Sequence, residues 1–449
     1  MRINRYTGKV NIKKGEEKMK RFLTVAVLTG LMFLSLGTDS YAGEIDLLLQ
    51  KLVDKGVLTP GEAQQVKSET KEEIRKEIAQ AKYDLLPEWL QKVKMKGDFR
   101  LRYANTKQKG SNDDSKGQIR VRLGLDTKIN DQMKVGIGMS TGSTSNPRST
   151  NATIADSNGP ASFKSIILNY AYASYSPTTW LTLTGGKFKN PIWQPNDLLW
   201  DGDLNPEGVS AQLDYNLSPY LGLFLNGEVF ALTQDSPSNS ARTMFVIQPG
   251  VRYNWRDKVN FKGAVAGYFF TGLKDRSRFT NSSGTNSTTG VTSTSGDYKY
   301  NYNSFNPSVE IGFKDPFAGV PLLAKYVPYA GIFSDFIYNP DPGTGKSGFD
   351  AGIKFGSEKV GDWGQWQGKV LFAKLGRDAW LDILPDSDRY NGKTNMKSVE
   401  AVLEYGLGKN SSLVLDYYWA ESLTKATTGA TAGNFGPQQV LQVDWNLKW

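Results

Sequence analysis

Val93, Met95, Phe99, Leu101 and Tyr103 alternate with Lys94, Lys96, Asp98, Arg100 and Arg102. A strand sends successive side chains to opposite faces, so this segment has one apolar and one charged face. The pattern recurs with Ile119, Val121, Leu123 and Leu125 set against Arg120, Arg122 and Asp126. It returns in the last nine residues, where Leu441, Val443, Trp445, Leu447 and Trp449 alternate with Gln442, Asp444, Asn446 and Lys448. One face of each segment suits hydrocarbon and the other suits water. Further strand-like segments run through Met133–Thr141, Lys164–Tyr175, Trp180–Lys189, Gly208–Leu217, Tyr220–Leu232, Arg242–Tyr253 and Lys258–Thr271. Ser304–Phe313, Val327–Tyr338, Ser347–Gly356, Gln365–Leu375, Met396–Leu407 and Ser412–Glu421 complete a set of sixteen. Alternation is imperfect in several, notably Arg242–Tyr253 and Gln365–Leu375. From Val93 onward each strand and its connection take roughly 22 residues, which suits spanning strands of about 9–11 residues. A one-residue slip in the first strand would turn its basic residues toward lipid at about 2–4 kcal/mol each, so its register is well specified.

The connections alternate in length. Short links fall at 130–132, 176–178, 218–219, 254–257 and 408–411, and long polar ones at 142–162, 190–207, 272–303 and 377–395. Link 314–326 is long for its place in this order. A soluble sandwich has no reason for such alternation, whereas a barrel with short turns at one end and long loops at the other requires it. The pattern predicts an all-β fold, a membrane-spanning antiparallel up-and-down β-barrel of about sixteen strands over residues 93–449, with both termini at the short-turn end. The Ser/Thr/Asn/Gly-rich loop 272–303 is expected to be solvated, mobile and without specific chemistry.

Residues 43–84 read differently. Ile45, Leu48, Leu49, Leu52 and Val53 recur at helical spacing, and Thr59-Pro60 with Glu62 makes a start signal for a second, Lys- and Glu-rich helix. This short N-terminal helical segment reads either as a periplasmic coiled-coil stalk or oligomerisation segment or as a merely solvated helix, joined to the barrel by a linker over 85–92. Ahead of it, Lys20-Arg21, an apolar run from Phe22 to Leu36 and Ser40-Tyr41-Ala42 make a signal peptide over 19–42, with 1–18 read as an untranslated leader. Removing the eight Lys/Arg and three Asp/Glu of residues 1–42 from the chain's 54 and 45 leaves a net charge of about +4. The formal +9 therefore gives no reason to expect a nucleic-acid partner.

Composition narrows the chemistry. Hydrophobic residues make up 39% of the chain, too few for a bundle of membrane helices. The 46 glycines, 21 tyrosines and 11 tryptophans suit barrel curvature and aromatic girdles. There is no cysteine and no histidine. Disulfides, thiolate metal sites, Ser-His catalysis and the commonest metal ligand are thus excluded, and neither an enzyme nor a cofactor is expected.

Two constellations would set the character of a water-filled lumen. The basic one is Lys94, Lys96, Arg100, Arg102, Arg120 and Arg122 on the inward faces of two neighbouring strands, where clustered cations require water, carboxylates or anions beside them. The acidic one is Asp197, Asp201 and Asp203 in the link 190–207, which also carries Trp193, Leu198, Leu199 and Trp200. Those apolar residues want burial. If the link folds inward, its aromatics pack on the wall and its carboxylates oppose the arginines as a constriction. Calcium binding by the three aspartates is the rival reading, although the spacing matches no recognised calcium loop. Six basic residues on two strands predict a weak anion preference.

The leader, Gly56-Val-Leu-Thr-Pro-Gly-Glu62, Gly97-Asp-Phe-Arg-Leu-Arg102 and Trp200-Asp-Gly-Asp-Leu-Asn-Pro-Glu-Gly208 together resemble the putative-porin family of Gram-negative outer-membrane proteins. The terminal alternation of Leu441, Val443, Trp445, Leu447 and Trp449 is similar to the closing strand and assembly signal of such barrels. The resemblance implies a trimeric channel for passive diffusion of small hydrophilic solutes or ions, with 190–207 in the position of a constriction loop. It also implies the bacterial outer membrane as location, and lipid, lipopolysaccharide and the barrel-assembly machinery as partners. A barrel scaffold or adhesin without an open channel is the alternative.

Overall fold

In the computed structural model, the described residues are 59, 61, 64, 65, 91–233, 241–289, 296–424 and 436–449. The leader, the signal peptide and most of the helical segment 43–84 and linker 85–92 lie outside them. Within that first unit, Gly61, Gln64 and Gln65 are helical and Thr59 is not.

The second unit is built on one antiparallel sheet closed on itself, with a separate two-stranded sheet of Thr288–Thr289 and Asp297–Tyr298 in a loop. Its strands are β1 (Val93–Gln108), β2 (Asp114–Lys128), β3 (Met133–Thr141), β4 (Ile166–Thr178), β5 (Leu181–Lys187), β6 (Glu207–Asn216), β7 (Leu221–Thr233) and β8 (Arg242–Trp255). They continue as β9 (Val259–Thr271), β10 (Ser304–Lys314), β11 (Tyr329–Tyr338), β12 (Ser347–Gly356), β13 (Trp366–Leu375), β14 (Met396–Gly408), β15 (Ser411–Ser422) and β16 (Gln438–Lys448). Each pairs with its sequence neighbours, and β1 closes the barrel on β16 in a register running from Asp98 opposite Lys448 to Gln108 opposite Gln438. The two-residue strand Ala152–Thr153 adds to the edge of β2. Closure leaves no unpaired strand edge, which is what hydrocarbon demands of a sheet.

The sixteen strands coincide with the sixteen read from sequence. The long link after β10 is explained by α1 (Pro321–Tyr326), a short helix placed among the tight turns. β1 and β2 reach 16 and 15 residues, longer than a membrane needs, because their ladder continues beyond the spanning region.

Outward side chains form an apolar belt that includes Leu101, Ile137, Ile247, Ile332, Ile353 and Leu441. Aromatics ring both rims, with Phe245, Phe269, Phe305 and Phe336 toward the long-loop end and Tyr215, Tyr253, Trp255 and Trp449 toward the turn end. Ten positions separate Phe245 from Trp255. At about 3.4 Å per residue and a tilt of about 40°, that spans roughly 26 Å, the height of a lipid-facing band. Trp449 is held by reciprocal backbone hydrogen bonds with Gly97, and its ring lies where a side chain at Gly97 would go.

The core lies inside the barrel. Met244 and Val246 of β8, Ala266, Tyr268 and Phe270 of β9, and Leu371, Ala373 and Leu375 of β13 all point inward and are buried. They receive residues from the loops. The imperfect alternation of Arg242–Tyr253 and Gln365–Leu375 has this cause: Phe245 and Ile247, or Val370 and Phe372, face outward while apolar neighbours face the inner core.

Candidate functional site

The loop joining β5 to β6 enters the barrel. Leu198, Leu199 and Trp200 are buried, and the Trp200 ring stands edge-on to Phe230 and Trp380 at 6.1 Å between centroids in each case. Trp380 belongs to the loop between β13 and β14, which enters as well. Its ring lies 4.6 Å from Tyr268 and 5.8 Å from Phe270, and its indole N–H donates to the Leu199 carbonyl at 2.7 Å. The two loops thus share one aromatic seat against β7–β9.

Loop 272–303 corrects the expectation of a featureless solvated segment. Thr285, Asn286, Tyr298 and Tyr302 are buried. Asp382 of the β13–β14 loop accepts from the Ser282 hydroxyl and the Thr285 and Asn286 amides, and Asp378 accepts from Ser287 and Tyr302. Short Ser, Thr and Asn side chains are low in hydropathy, yet they are what buried carboxylates need as donors. Arg148, from the loop after β3, ties the assembly further by donating to the Asp382 and Gly392 carbonyls.

The basic constellation forms one inward wall, and most of it is paired. Arg102 grips Asp444 with two hydrogen bonds of 2.7 and 2.9 Å and reaches Asp388 of the β13–β14 loop at 2.8 Å. Arg100 contacts Asn446 at 3.0 Å and Asp444 at 3.2 Å. Arg120 and Arg122 share the two oxygens of Asp98, at 2.9 and 2.6 Å. Arg122 also reaches Asp203 at 3.1 Å. Lys96 pairs with Asp126 and lies 5.5 Å from the centre of the Tyr170 ring. Lys94 is exposed at the start of β1, in register with Asp126.

The three loop aspartates diverge. Asp203 meets Arg122 and accepts from the Thr150 amide and hydroxyl, both at 2.9 Å. Asp201 is buried and accepts from the Ser387 amide at 2.8 Å, while its own amide donates to Leu384. Asp197 accepts from Arg389 at 3.0 Å, and Arg389 also pairs with Glu400 of β14. Among the described residues no group of three or more acidic side chains is placed to hold a metal ion, and the three aspartates reach different partners.

Burial, then the neighbouring Asp203, pushes the Asp201 carboxyl up to about 7. Burial raises Asp386 well above the carboxylate range, with Asp197 and Asp388 adding to it. Burial also acts upward on Asp197, but Arg389 and Lys369 outweigh it and hold that carboxyl below its ordinary value. Sequence reasoning missed Asp388, Arg389, Arg148 and Gln248, whose partners are distant in the chain. Asp98, Asp126 and Asp444 were visible as water-facing, but their pairing depends on register: Asp98 lies opposite Arg122, and Arg102 opposite Asp444.

A closed sixteen-stranded barrel with an apolar outer belt and charged, loop-bearing interior defines an integral outer-membrane protein of the channel class. The chain belongs to the putative porin family, whose model matches residues 61–118, 109–337 and 331–448. The barrel is therefore an outer-membrane porin channel, and the fold points to transport rather than catalysis. Among solved structures, the chain is similar to Pseudomonas putida OprB at high pH, with a TM-score of 0.51, 10% identity, and coverage of 81% of this chain and 96% of that one. Salmonella typhi OmpF in complex with daunomycin gives 0.47 at 12% identity, covering 79% and 97%. A triple mutant of the Rhodopseudomonas blastica porin gives 0.41 at 9%, covering 80% and 100%. The OprB likeness supports the shared barrel fold, and the two lower scores add no weight. No curated protein matches the chain.

Proposed function

We propose that the barrel carries small hydrophilic solutes and ions by passive diffusion, with the loop over 190–207 as its constriction. The observation that carries this reading is the loop's own chemistry. Its apolar residues are buried against the barrel wall, and its Asp203 pairs directly with Arg122 of β2 at 3.1 Å. Fixed opposite charges at a narrow point orient and sort solutes. The β13–β14 loop narrows the same region from the other side through Asp388 and Arg102. The start of β1 and the end of β16 lie at the turn end, and both termini would be periplasmic because outer-membrane barrels keep their short turns there.

The basic wall does not carry the weak anion preference by itself, since Asp98, Asp203, Asp388 and Asp444 offset it. Lys189, Lys262 and Lys448, which have no ion pair among the described residues, carry it instead. Outer-membrane lipid and lipopolysaccharide would surround the apolar belt. Leu441, Val443, Trp445, Leu447 and Trp449 would be read by the barrel-assembly machinery, and three copies would form the working unit. The test is planar-bilayer conductance of the folded protein under a salt gradient. Ohmic openings with a reversal potential on the anion side are expected. A demonstrably folded barrel that stays silent would move the protein to the scaffold or adhesin reading.

A further inference from the structure

A cavity of about 700 Å³ lies beneath the β5–β6 loop, bounded by that loop and by the walls of β1, β2, β4 and β9. Its lining combines two chemistries. Trp193, Ile192, Trp200 and Tyr170 supply apolar surface, and Lys189 and Lys262 supply positive charge. The carboxylates that border it are already engaged: Asp98 and Asp203 by arginines, and Asp201 by backbone amides. Neither Lys189 nor Lys262 has an ion-pair partner among the described residues, and Lys189 is exposed to the lumen beside the like charges of Arg122 and Lys96. An anion at this position would relieve that repulsion.

The aromatic element is fixed in place. The fully buried Gln248 side chain accepts from the Trp193 amide at 2.8 Å and donates to the Trp193 carbonyl at 2.7 Å. Asn226 donates to the same Gln248 oxygen at 3.0 Å. Lys262 then lies over the Trp193 ring, 4.6 Å from its centre, and 5.2 Å from that of Phe224. A clamped aromatic with lysines beside it is a preorganised surface, which reduces the ordering cost of binding.

We propose that this cavity is a binding site for a small organic carboxylate with an apolar body, its anionic group taken by Lys189 and Lys262 and its body by the face around Trp193. The proposal deepens the channel reading and rests on it, naming the solute class that the lumen retains on its way through. An inorganic anion would leave the apolar lining unused, and a neutral sugar would leave the lysines uncompensated.

The test uses the full chain folded in detergent and in planar bilayers, with benzoate as probe. Acetate supplies the charge without the body, and benzyl alcohol the body without the charge. Calorimetric titration is expected to show saturable benzoate binding, with acetate and benzyl alcohol both at least about tenfold weaker. Lys189→Gln and Lys262→Gln should each weaken benzoate by about tenfold, and Trp193→Ala by a similar factor. In the bilayer, the same benzoate concentrations should reduce the chloride current saturably. Current without benzoate binding would overturn this site and leave the channel standing. Binding by a folded barrel that passes no current would overturn the channel and leave the site. Equal binding of benzyl alcohol, or undiminished binding by both lysine variants, would also overturn the proposal.

Discussion

Trp380→Ala tests whether the shared aromatic seat holds both inward loops. The ring is fully buried and stacks edge-on against Trp200, Tyr268 and Phe270. Emptying such a site costs about 3–5 kcal/mol, and leaving the Leu199 carbonyl without its indole donor adds about 1 kcal/mol or more. A weakening of about 4–6 kcal/mol raises the ratio of released to seated loop by roughly three to four powers of ten. The barrel itself should survive, because its hydrogen-bond ladder is closed without the loops. Single-channel recording should therefore show larger and noisier openings, and trypsin should gain access to Arg377 and Lys393. Trp380→Phe keeps the ring contact, loses the donor, and should fall between the two. A Trp380→Ala barrel of normal folded mobility, with unchanged conductance and protected loops, would refute the seat.

Three further outcomes follow from individual contacts. Asp201, pushed up to about 7, is mostly protonated below that pH in the seated loop and adds a negative charge above it. Its folded pKa exceeds the unfolded value of about 3.9, so the stabilisation is greatest at acid pH and is lost as pH rises through about 7. Reversal potentials should move toward cations between about pH 6 and 8, and Asp201→Asn should abolish that movement; a variant that still titrates would assign the proton elsewhere. Arg102→Ala removes the two-bond partner of the buried Asp444 and leaves it only Arg100 at 3.2 Å, so it should cost about 1–3 kcal/mol, read as a lower guanidinium midpoint, with Arg102→Lys recovering only part because an ammonium lacks the fork. An unchanged midpoint would show that Asp444 does not depend on the pair. Asp203→Asn frees one arm of Arg122 and should shift the reversal potential toward anions, whereas a null effect would mean that solvent ions already screen that arm.

The barrel was legible in the sequence because lipid enforces a period of two on every spanning strand, and β1, β2 and β16 obey it almost without exception. It blurred at Arg242–Tyr253 and Gln365–Leu375 for a physical reason. There the inner face is apolar too, since it receives Trp200, Leu199 and Trp380 rather than water. Read in reverse, lost alternation on a barrel strand marks the wall on which an inward loop sits. The loop over 190–207 was recognisable because apolar residues in a long link must be buried somewhere. Its partner over 376–395 carries the same signal in Trp380, Leu381, Ile383 and Leu384, but a run of aspartates masks it. Loop 272–303 gave no signal at all. Its Ser282, Thr285, Asn286 and Ser287 serve carboxylates that are neighbours only after folding.

The arginine wall shows why counting charges along a strand misjudges a pore. Arg100 stands directly opposite Arg120, an arrangement that repels unless anions intervene. Asp98 bridges the two arginines of β2, and Asp444 those of β1, so the repulsion is resolved within the wall. The remaining guanidinium capacity goes to Asp203 and Asp388, one on each inward loop. The planar fork of arginine suits this task, since it can hold a strand carboxylate and a loop carboxylate together. Lysine, with a single mobile ammonium, is the residue left without a carboxylate at Lys189 and Lys262. Elsewhere on the wall lysine also serves the loop, through single contacts: Lys354 donates to the Pro195 carbonyl and Lys369 to the Asn196 side chain, so what arginine adds is the second arm that joins strand and loop carboxylates at once.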